Sequence, residues 1–245
     1  MGTSDKIERL AQALAKCWRD GGTIDLPAQR DAPATRAEAY AVQDQIAALL
    51  REKIVGWKVG AAIEAVQRFE GHDGPIPGRL FASRLYHSPA TIPGRRFGTG
   101  HKVECEFGFR VVCDLPATGP KQTRQSILEA LVFHPAIEIA GSRYTPGTGG
   151  RPPRTFDTIA DNGGGGAFVF GPAIKDWKEI EFDRLRDRRD VGIQSRLVGP
   201  DGRHPAQDDR ERTAGESDEP GTHVLLLRRV GTAARRDRVT RCTAV

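Results

Sequence analysis

The sequence lacks several features that mark well-defined classes of protein. It has no apolar run near the ~20 residues that a membrane-spanning helix needs, and residues 1–19 mix charged with apolar positions, unlike a secretory signal. Its four cysteines, Cys17, Cys105, Cys113 and Cys242, include no Cys-x-x-Cys pair and no histidine at zinc-finger spacing. We therefore expect a cytoplasmic protein without a membrane span, a disulfide framework or a structural zinc.

The last quarter of the chain has little from which to build a dense core. No lysine follows Lys178 and no aromatic residue follows Phe182, whereas fourteen arginines lie between Arg184 and Arg241. We expect residues 183–245 to pack loosely, with their arginines exposed and the sheet edge near the site partly uncovered. An out-of-register reading of a GC-rich gene and a genuine arginine-rich ending both stay open as explanations.

The net charge of +5 and the pI near 9.2 raise the question of a nucleic-acid partner. The arginine pairs of the last quarter have no aromatic residues between them, and acidic residues such as Asp208 and Glu216 lie nearby. An arginine-rich nucleic-acid binder is therefore a remote alternative.

Residues 1–182, by contrast, have the patterning of a folded α+β protein. Ile7, Leu10, Leu14 and Trp18 recur at helical spacing, and Thr35 with Glu38 has the pattern of a capping box. The pattern predicts helices to Arg19, from Thr35 to near Lys53, over 61–70 and after Thr123, and strands over 54–60, 103–113, 135–140 and 167–170.

Three glutamates stand out among the predicted strands. Glu104 and Glu106 alternate with apolar residues and share one face, while Glu138 lies alone in an apolar strand. A carboxylate there needs a positive partner, and three carboxylates together would suit Mg²⁺ or Mn²⁺. The alternative is that Glu104 and Glu106 form the solvated face of an edge strand and that Glu138 pairs with Arg143 or Arg110.

Other candidate residues carry weaker signals. Lys58 lies between Gly56 and Gly60, which leave room for a ligand beside it. The run of glycines at 163–166 precedes a strand and lacks the Lys-Ser/Thr of a P-loop, so phosphate binding is not expected. The six histidines are scattered, with no pattern of a hydrolase triad.

Several segments together resemble the 2-keto-4-pentenoate hydratase branch of the fumarylacetoacetate hydrolase superfamily. They occur in the order and approximate spacing of that branch, within residues 1–182, at 39–45, 55–60, 78–81, 103–107, 135–139, 141–143 and 159–162.

The resemblance implies a mixed-sheet β-roll of the fumarylacetoacetate hydrolase C-terminal type, in an α+β fold, with an N-terminal α/β region. It divides the chain into residues 1–78, a metal-site core at 79–182 and the atypical segment 183–245. It also implies a homo-oligomer that binds Mg²⁺ or Mn²⁺ and a small 2-oxo acid. The implied metal ligands are Glu104, Glu106 and Glu138, the implied catalytic residues are Lys58 and Ser83, and the implied substrate-binding residues are Ser142, Asn162 and Gly163.

The implied activity is a hydratase or decarboxylase-type lyase acting on 2-hydroxydienoic acids in the breakdown of aromatic compounds. The chain departs from the resembled hydratases at two places that bear on this activity. Those hydratases have an aspartate where this chain has Phe-Ala-Ser-Arg at 81–84, and they have small hydroxyl residues where it has Gly163 and Gly164. Ser83 needs another base to activate it, so water addition depends on a base that the sequence does not identify. A catalytically impaired relative and an acylpyruvate C–C hydrolase are the alternatives, although no histidine precedes His72 to form the N-terminal lid of such a hydrolase.

Overall fold

The computed structural model describes residues 3–62, 64–94, 97, 99–115 and 121–180, together with the backbones of 195–198 and 224–227. Its helices are α1 (Thr3–Asp20), α2 (Arg36–Leu50), α3 (Glu64–Glu70), α4 (Arg124–Glu129) and α5 (Thr155–Ala160). Short 3₁₀ turns cover Ala82–Arg84, Asn162–Gly164 and Trp177–Glu179. The strands are β1 (Ile24–Asp25), β2 (Ile54–Gly60), β3 (Ile76–Phe81), β4 (Leu85–His87), β5 (Ala90–Pro93), β6 (Thr99–Val111), β7 (Leu131–Ser142), β8 (Tyr144–Thr145), β9 (Gly165–Phe170), β10 (Ser195–Val198) and β11 (Val224–Leu227).

The first two helices form where the sequence predicts them. Leu14 and Trp18 on α1 are buried, as the helical spacing requires, and the Thr35 side chain caps α2 by accepting a hydrogen bond from the backbone N–H of Glu38 at 3.1 Å. Both helices pack with α5 in one apolar core, to which Ile46 and Ile159 contribute. The same core includes Ile76 and Phe81 of β3, so the helices pack against residues of this strand.

A seven-stranded mixed sheet forms the centre of the fold, in the order β3-β2-β11-β6-β7-β9-β4. The β6–β7 and β7–β9 pairs are antiparallel, whereas β4 pairs with β9 in parallel. The long antiparallel β6–β7 pair spans Thr99–Val111 and Leu131–Ser142. The expectation of a fold that combines helices with a mixed sheet is therefore confirmed.

Two short strands belong to the arginine-rich last quarter of the chain. Val224–Leu227, its most apolar stretch, forms β11 between β2 and β6, and Ser195–Val198 forms β10 beside β5. β11 thus pairs with both strands that flank it in the sheet. The remaining residues of 183–245, on which the prediction of loose packing also rests, lie outside the described residues.

Two further expectations from the sequence concern membrane-spanning helices and disulfide bonds. Within the part of the chain that the structure describes, no helix is long and apolar enough to cross a membrane. Cys17 and Cys105 are free thiols, whereas Cys113 is disulfide-bonded, which the cysteine spacing does not predict.

Candidate metal centre and active-site cleft

The register between β6 and β7 brings the three glutamates together. Glu104 lies directly opposite Glu138 in the antiparallel pair, and Glu106, two residues along β6, points to the same face. A carboxylate oxygen from each of the three lies within 4.8 Å of the other two. The expected convergence is therefore present, whereas the ligand role of these residues stays a prediction.

The burial of these side chains argues against a solvated edge strand. Glu106 and Glu138 are only 5% and 2% exposed, and β6 pairs with β7 along the glutamate segment and with β11 at the adjoining residues Phe107–Arg110. The opposite face, where Val103 is 49% exposed, is the open one at this end of β6. The side of β6 that carries the glutamates thus faces the interior. The usual alternation, in which the apolar side chains of a strand face the interior, predicts the opposite arrangement.

Lys58 provides the positive charge beside Glu138. Its Nζ lies 3.6 Å from Glu138 Oε1 and also donates a hydrogen bond to the backbone oxygen of Gly163. The side chain is 7% exposed. Arg143, the partner considered from the sequence, instead bonds Asp161 through Nε at 2.5 Å.

Glycines leave the space that the Lys58 side chain occupies. A Cβ added to Gly163, whose φ is +65°, would lie 2.9 Å from Lys58 Cε. At Gly78 an added Cβ would lie 3.2 Å from the same atom and 2.3 Å from the backbone oxygen of Asn162. The position of the lysine therefore depends on Gly78, which lies opposite it in the β2–β3 pair, and on Gly163 of the turn before β9, in addition to its neighbour Gly60.

The crowding of carboxylates changes the acidity of Glu106. Burial, reinforced by the charges of Glu138 and Glu104 and opposed by Lys58, raises the pKa of Glu106 to about 10. At neutral pH and without a cation, the cluster therefore holds a proton on Glu106.

The site opens into a cleft with a volume of about 420 Å³. Lys58 and Glu104 lie in its wall together with Lys102, Glu70 and His72. The remaining lining residues come mainly from loops and strand ends: Gly60, Ala61, Ile76, Ala140, Gly141, Ser142, Pro146, Thr158, Gly163 and Gly164. A cleft of this size suits a small organic acid.

Comparison with curated proteins identifies relatives of this chain. A protein named TodF product hydratase, from Pseudomonas putida F1, is 31% identical over 201 residues, which cover 77% of this chain and 70% of that protein. The 2-keto-4-pentenoate hydratase of Burkholderia vietnamiensis G4 is 34% identical over 177 residues, covering 70% of this chain and 64% of that enzyme. The chain belongs to the 2-keto-4-pentenoate hydratase family.

A solved structure supports the fold of this hydratase-family chain. The 4-oxalocrotonate decarboxylase from Pseudomonas putida G7, complexed with magnesium and adipate, superposes with a TM-score of 0.61 at 24% identity. The match covers 74% of this chain and 67% of that one. No protein-family model matches the chain. The family resemblance in the sequence is confirmed by the relatives, and the solved structure shows a shared fold.

Asn162, expected to bind substrate, uses its side chain to hold β3. Its Oδ1 accepts a hydrogen bond from the backbone N–H of Arg79 at 2.7 Å, and its Nδ2 donates to the backbone oxygen of the same residue at 2.9 Å. Next to it, Gly163 accepts the hydrogen bond from Lys58. Asn162 therefore connects β3 to the turn that positions the lysine, and its own side chain points at backbone.

Ser142 and Ser83 lie in different surroundings. Ser142 lines the cleft, and its hydroxyl accepts a hydrogen bond from the backbone N–H of Tyr144 at 3.0 Å and lies 3.4 Å from Asp161 Oδ2. Ser83 is exposed, donates a hydrogen bond to Glu52 and is not among the residues that line the cleft. The structure thus brings Ser142 into the site but places Ser83 elsewhere, and we leave Ser83 out of the proposed site.

Sequence reasoning did not identify Glu70 and His72 as site residues. They flank Gly71, whose φ of +72° ends α3 and lets the backbone N–H of His72 donate to the oxygen of Gln67 at 2.8 Å. The sequence did offer one signal for them, the glycine predicted to stop this helix. A chain reversal at Gly71 turns the side chain of His72 back toward the end of the helix, where Glu70 lies.

Proposed function

We propose that this chain is a divalent-metal-dependent lyase that adds water to small 2-hydroxydienoic acids, the enol forms of unsaturated 2-oxo acids. The observation that carries the proposal is the cluster of Glu104, Glu106 and Glu138 beside the buried Lys58, at a cleft sized for a small acid. Membership of a hydratase family supports it, as do relatives named 2-oxo-hept-4-ene-1,7-dioate hydratase and 2-hydroxyhexa-2,4-dienoate hydratase. The breakdown of aromatic compounds is the setting in which we expect such acids.

The carboxylate cluster fits a hard divalent cation. Three carboxylates with oxygens within 4.8 Å of one another need more positive charge than Lys58 alone supplies, and the donors are all oxygen. We propose that Glu104, Glu106 and Glu138 hold Mg²⁺, and Mn²⁺ suits the same donors. When bound, the ion would act as a Lewis acid toward the oxygens of a 2-oxo acid.

Lys58 is the proposed proton-moving residue of the site. Its Nζ is fixed between Glu138 Oε1 and the Gly163 oxygen, and the residue lies in the cleft wall. From there an ammonium group can hold the substrate carboxylate or give a proton to the carbon next to the keto group. The buried pair with Glu138 keeps that ammonium group in one position.

The proposed substrate contacts come from the far end of β7 and from the glycine turn. Ser142 and Gly163 line the cleft directly, so a hydroxyl and a backbone segment are available to the substrate there. Asn162 supports this surface through its two hydrogen bonds to Arg79, and its substrate-binding role stays a prediction.

The proposal extends to the type of sheet and to the division of the chain into regions. We propose that the mixed sheet is the β-roll of the fumarylacetoacetate hydrolase C-terminal type, with residues 1–78 as an N-terminal α/β region, which contributes Lys58 to the site, and 79–182 as the core that carries the three glutamates. A cytoplasmic homo-oligomer stays a prediction.

Turnover measurements with a panel of acids test the proposed reaction. The full-length protein with Mg²⁺ should consume 2-hydroxypent-2,4-dienoate, seen as loss of the dienol absorbance. A 2-oxo dioate tests decarboxylation through release of CO₂, and an acylpyruvate tests C–C hydrolysis. Cleavage of the acylpyruvate without hydration of the dienoate would contradict the proposal and favour the hydrolase.

A further inference from the structure

The cleft contains a pair of ionisable side chains that the metal cluster does not use. His72 Nε2 lies 3.1 Å from Glu70 Oε2, and both residues line the cleft that also contains Lys58 and Glu104. The Glu70 side chain is 46% exposed, whereas that of His72 is 10% exposed. Of the two, the carboxylate is the one open to a ligand.

Two further contacts fix the orientation of this pair. His72 Nδ1 lies 3.0 Å from the hydroxyl oxygen of Thr155 at the start of α5, so both ring nitrogens have a partner. The backbone N–H of His72 is itself held by Gln67 of α3. Since a carboxylate only accepts, Nε2 donates to Glu70 and presents its carboxylate at a defined place in the wall.

Water addition needs a base, and the other ionisable side chains of the described cleft wall do not supply one. Glu104 belongs to the carboxylate cluster, and Lys58 is paired with Glu138. Lys102 is a cation, which has no lone pair with which to accept a proton. Ser83 is bonded to Glu52 and is not in the cleft wall.

We propose that Glu70 is the general base for water addition and that His72 is the residue that positions it. This inference rests on the proposed function. The 2-hydroxydienoic acid first takes its 2-oxo-3-ene form, in which the hydroxyl group has lost a proton and carbon 5 has gained one. The Glu70 carboxylate then takes a proton from water as the water oxygen bonds to carbon 4, and the electrons of the double bond between carbons 3 and 4 move toward the keto group and give an enolate. Carbon 3 takes a proton from the Lys58 ammonium group, and the proton on Glu70 returns to Lys58 through solvent. Water is the one reactant added, so atoms and charge balance.

The first test replaces Glu70 and supplies the missing carboxylate from solution. E70A in the full-length protein with Mg²⁺ should lose about 10²- to 10⁴-fold in kcat for 2-hydroxypent-2,4-dienoate. Added formate should restore part of this turnover, as a free carboxylate can replace the missing base. The matched control is E64A, since Glu64 lies on the same helix, is 85% exposed and pairs only with Arg68 among the described residues. E64A should keep wild-type turnover with and without formate.

A second measurement distinguishes the loss of a general base from general damage to the active site. Exchange of the position-3 hydrogens of 2-oxopentanoate in D₂O needs no water addition, so E70A should keep wild-type exchange while hydration falls. H72Q, whose amide can still donate to Glu70, should retain more hydration than H72F, with the difference in kcat and not in KM. That ranking would not follow from a purely structural role of His72.

The outcomes separate this inference from the proposed function. Unchanged hydration in E70A, no rescue by formate, or an equal loss of exchange and hydration would overturn the role of Glu70 while leaving the lyase intact. A wild-type protein that neither hydrates the dienoate nor exchanges 2-oxopentanoate would overturn the proposed function, and the role of Glu70 with it.

Discussion

Lys58 and Glu138 form a buried ion pair, with Nζ 3.6 Å from Oε1, between strands that are not neighbours in the sheet. The pair connects β2 to the carboxylate cluster on β6 and β7. Removing either side chain of this buried ion pair is costly, because the charge of the other side chain loses its counterion. Both the chemistry and the local stability of the site therefore depend on this contact.

Replacing Lys58 tests whether it acts in turnover. K58M keeps much of the apolar stem but removes the ammonium group, so we expect kcat to fall by about 10²-fold or more. The thermal stabilisation by Mg²⁺ should persist, because the three carboxylates remain. Steady-state kinetics and thermal unfolding with and without Mg²⁺ measure the two effects. Turnover within a few-fold of wild type in folded K58M would contradict the catalytic role of Lys58.

Replacing Glu106 tests the metal site. E106Q removes one of the three carboxylates, so Mg²⁺ should no longer raise the unfolding temperature. The same change removes a carboxyl group whose ionisation the fold opposes, so the metal-free variant should be more stable than wild type at neutral pH, by several degrees in Tm. Differential scanning calorimetry measures both shifts, with E64Q as the control. Retained stabilisation by Mg²⁺ in E106Q would place the ion elsewhere.

The pKa of Glu106 predicts how the metal-free protein responds to pH. The folded value is about 10 and the ordinary value 4.5, so above pH 4.5 the unfolded chain releases a proton that the folded protein keeps. This group therefore lowers the free energy of unfolding as pH rises toward 10, by at most about 1.4 kcal/mol per pH unit. Urea unfolding in chelator from pH 6 to 9 should show this slope in wild type and a shallower one in E106Q. Equal slopes would contradict the prediction.

Adjacent glycines offer a matched test of how Lys58 is held. G163A adds a methyl group 2.9 Å from Lys58 Cε at a φ of +65°, whereas at Gly164, with φ of +70°, an added Cβ meets nothing within 4 Å. Both variants carry similar backbone strain, of about 1–3 kcal/mol, but only G163A displaces the lysine. We expect both to lose stability and only G163A to lose most of its turnover. Equal turnover in the two would show that the close contact does not matter.

The sequence predicted the elements of the site well but not which face of β6 is interior. Alternation placed Glu104 and Glu106 on one face, and the register with β7 added Glu138. Period-two alternation is the same whichever face is buried, and polar residues usually face water. The interior position of the glutamates is set by the strands and turns that cover them, which only the fold brings together.

The contacts made by distant segments could not be predicted from local pattern. Gly78 and Gly163 are separated by more than eighty residues, yet both approach the Lys58 side chain. The sequence led us to expect Asn162 in substrate binding. Its side-chain amide instead bonds both the backbone N–H and the backbone oxygen of Arg79. Glu70 and His72 reach the cleft through a helix end that contacts α5 through Thr155. Gly71 indicates the turn that ends the helix, but not the pairing of the two side chains.

The most direct test of the account is the metal dependence of hydration. Full-length protein treated with chelator should show no turnover of 2-hydroxypent-2,4-dienoate above background, and added Mg²⁺ should restore it in a saturable way. E106Q should stay inactive at the same Mg²⁺ concentrations while remaining folded. Turnover that survives chelation, or that E106Q retains, would contradict the claim that the carboxylate cluster holds the catalytic metal.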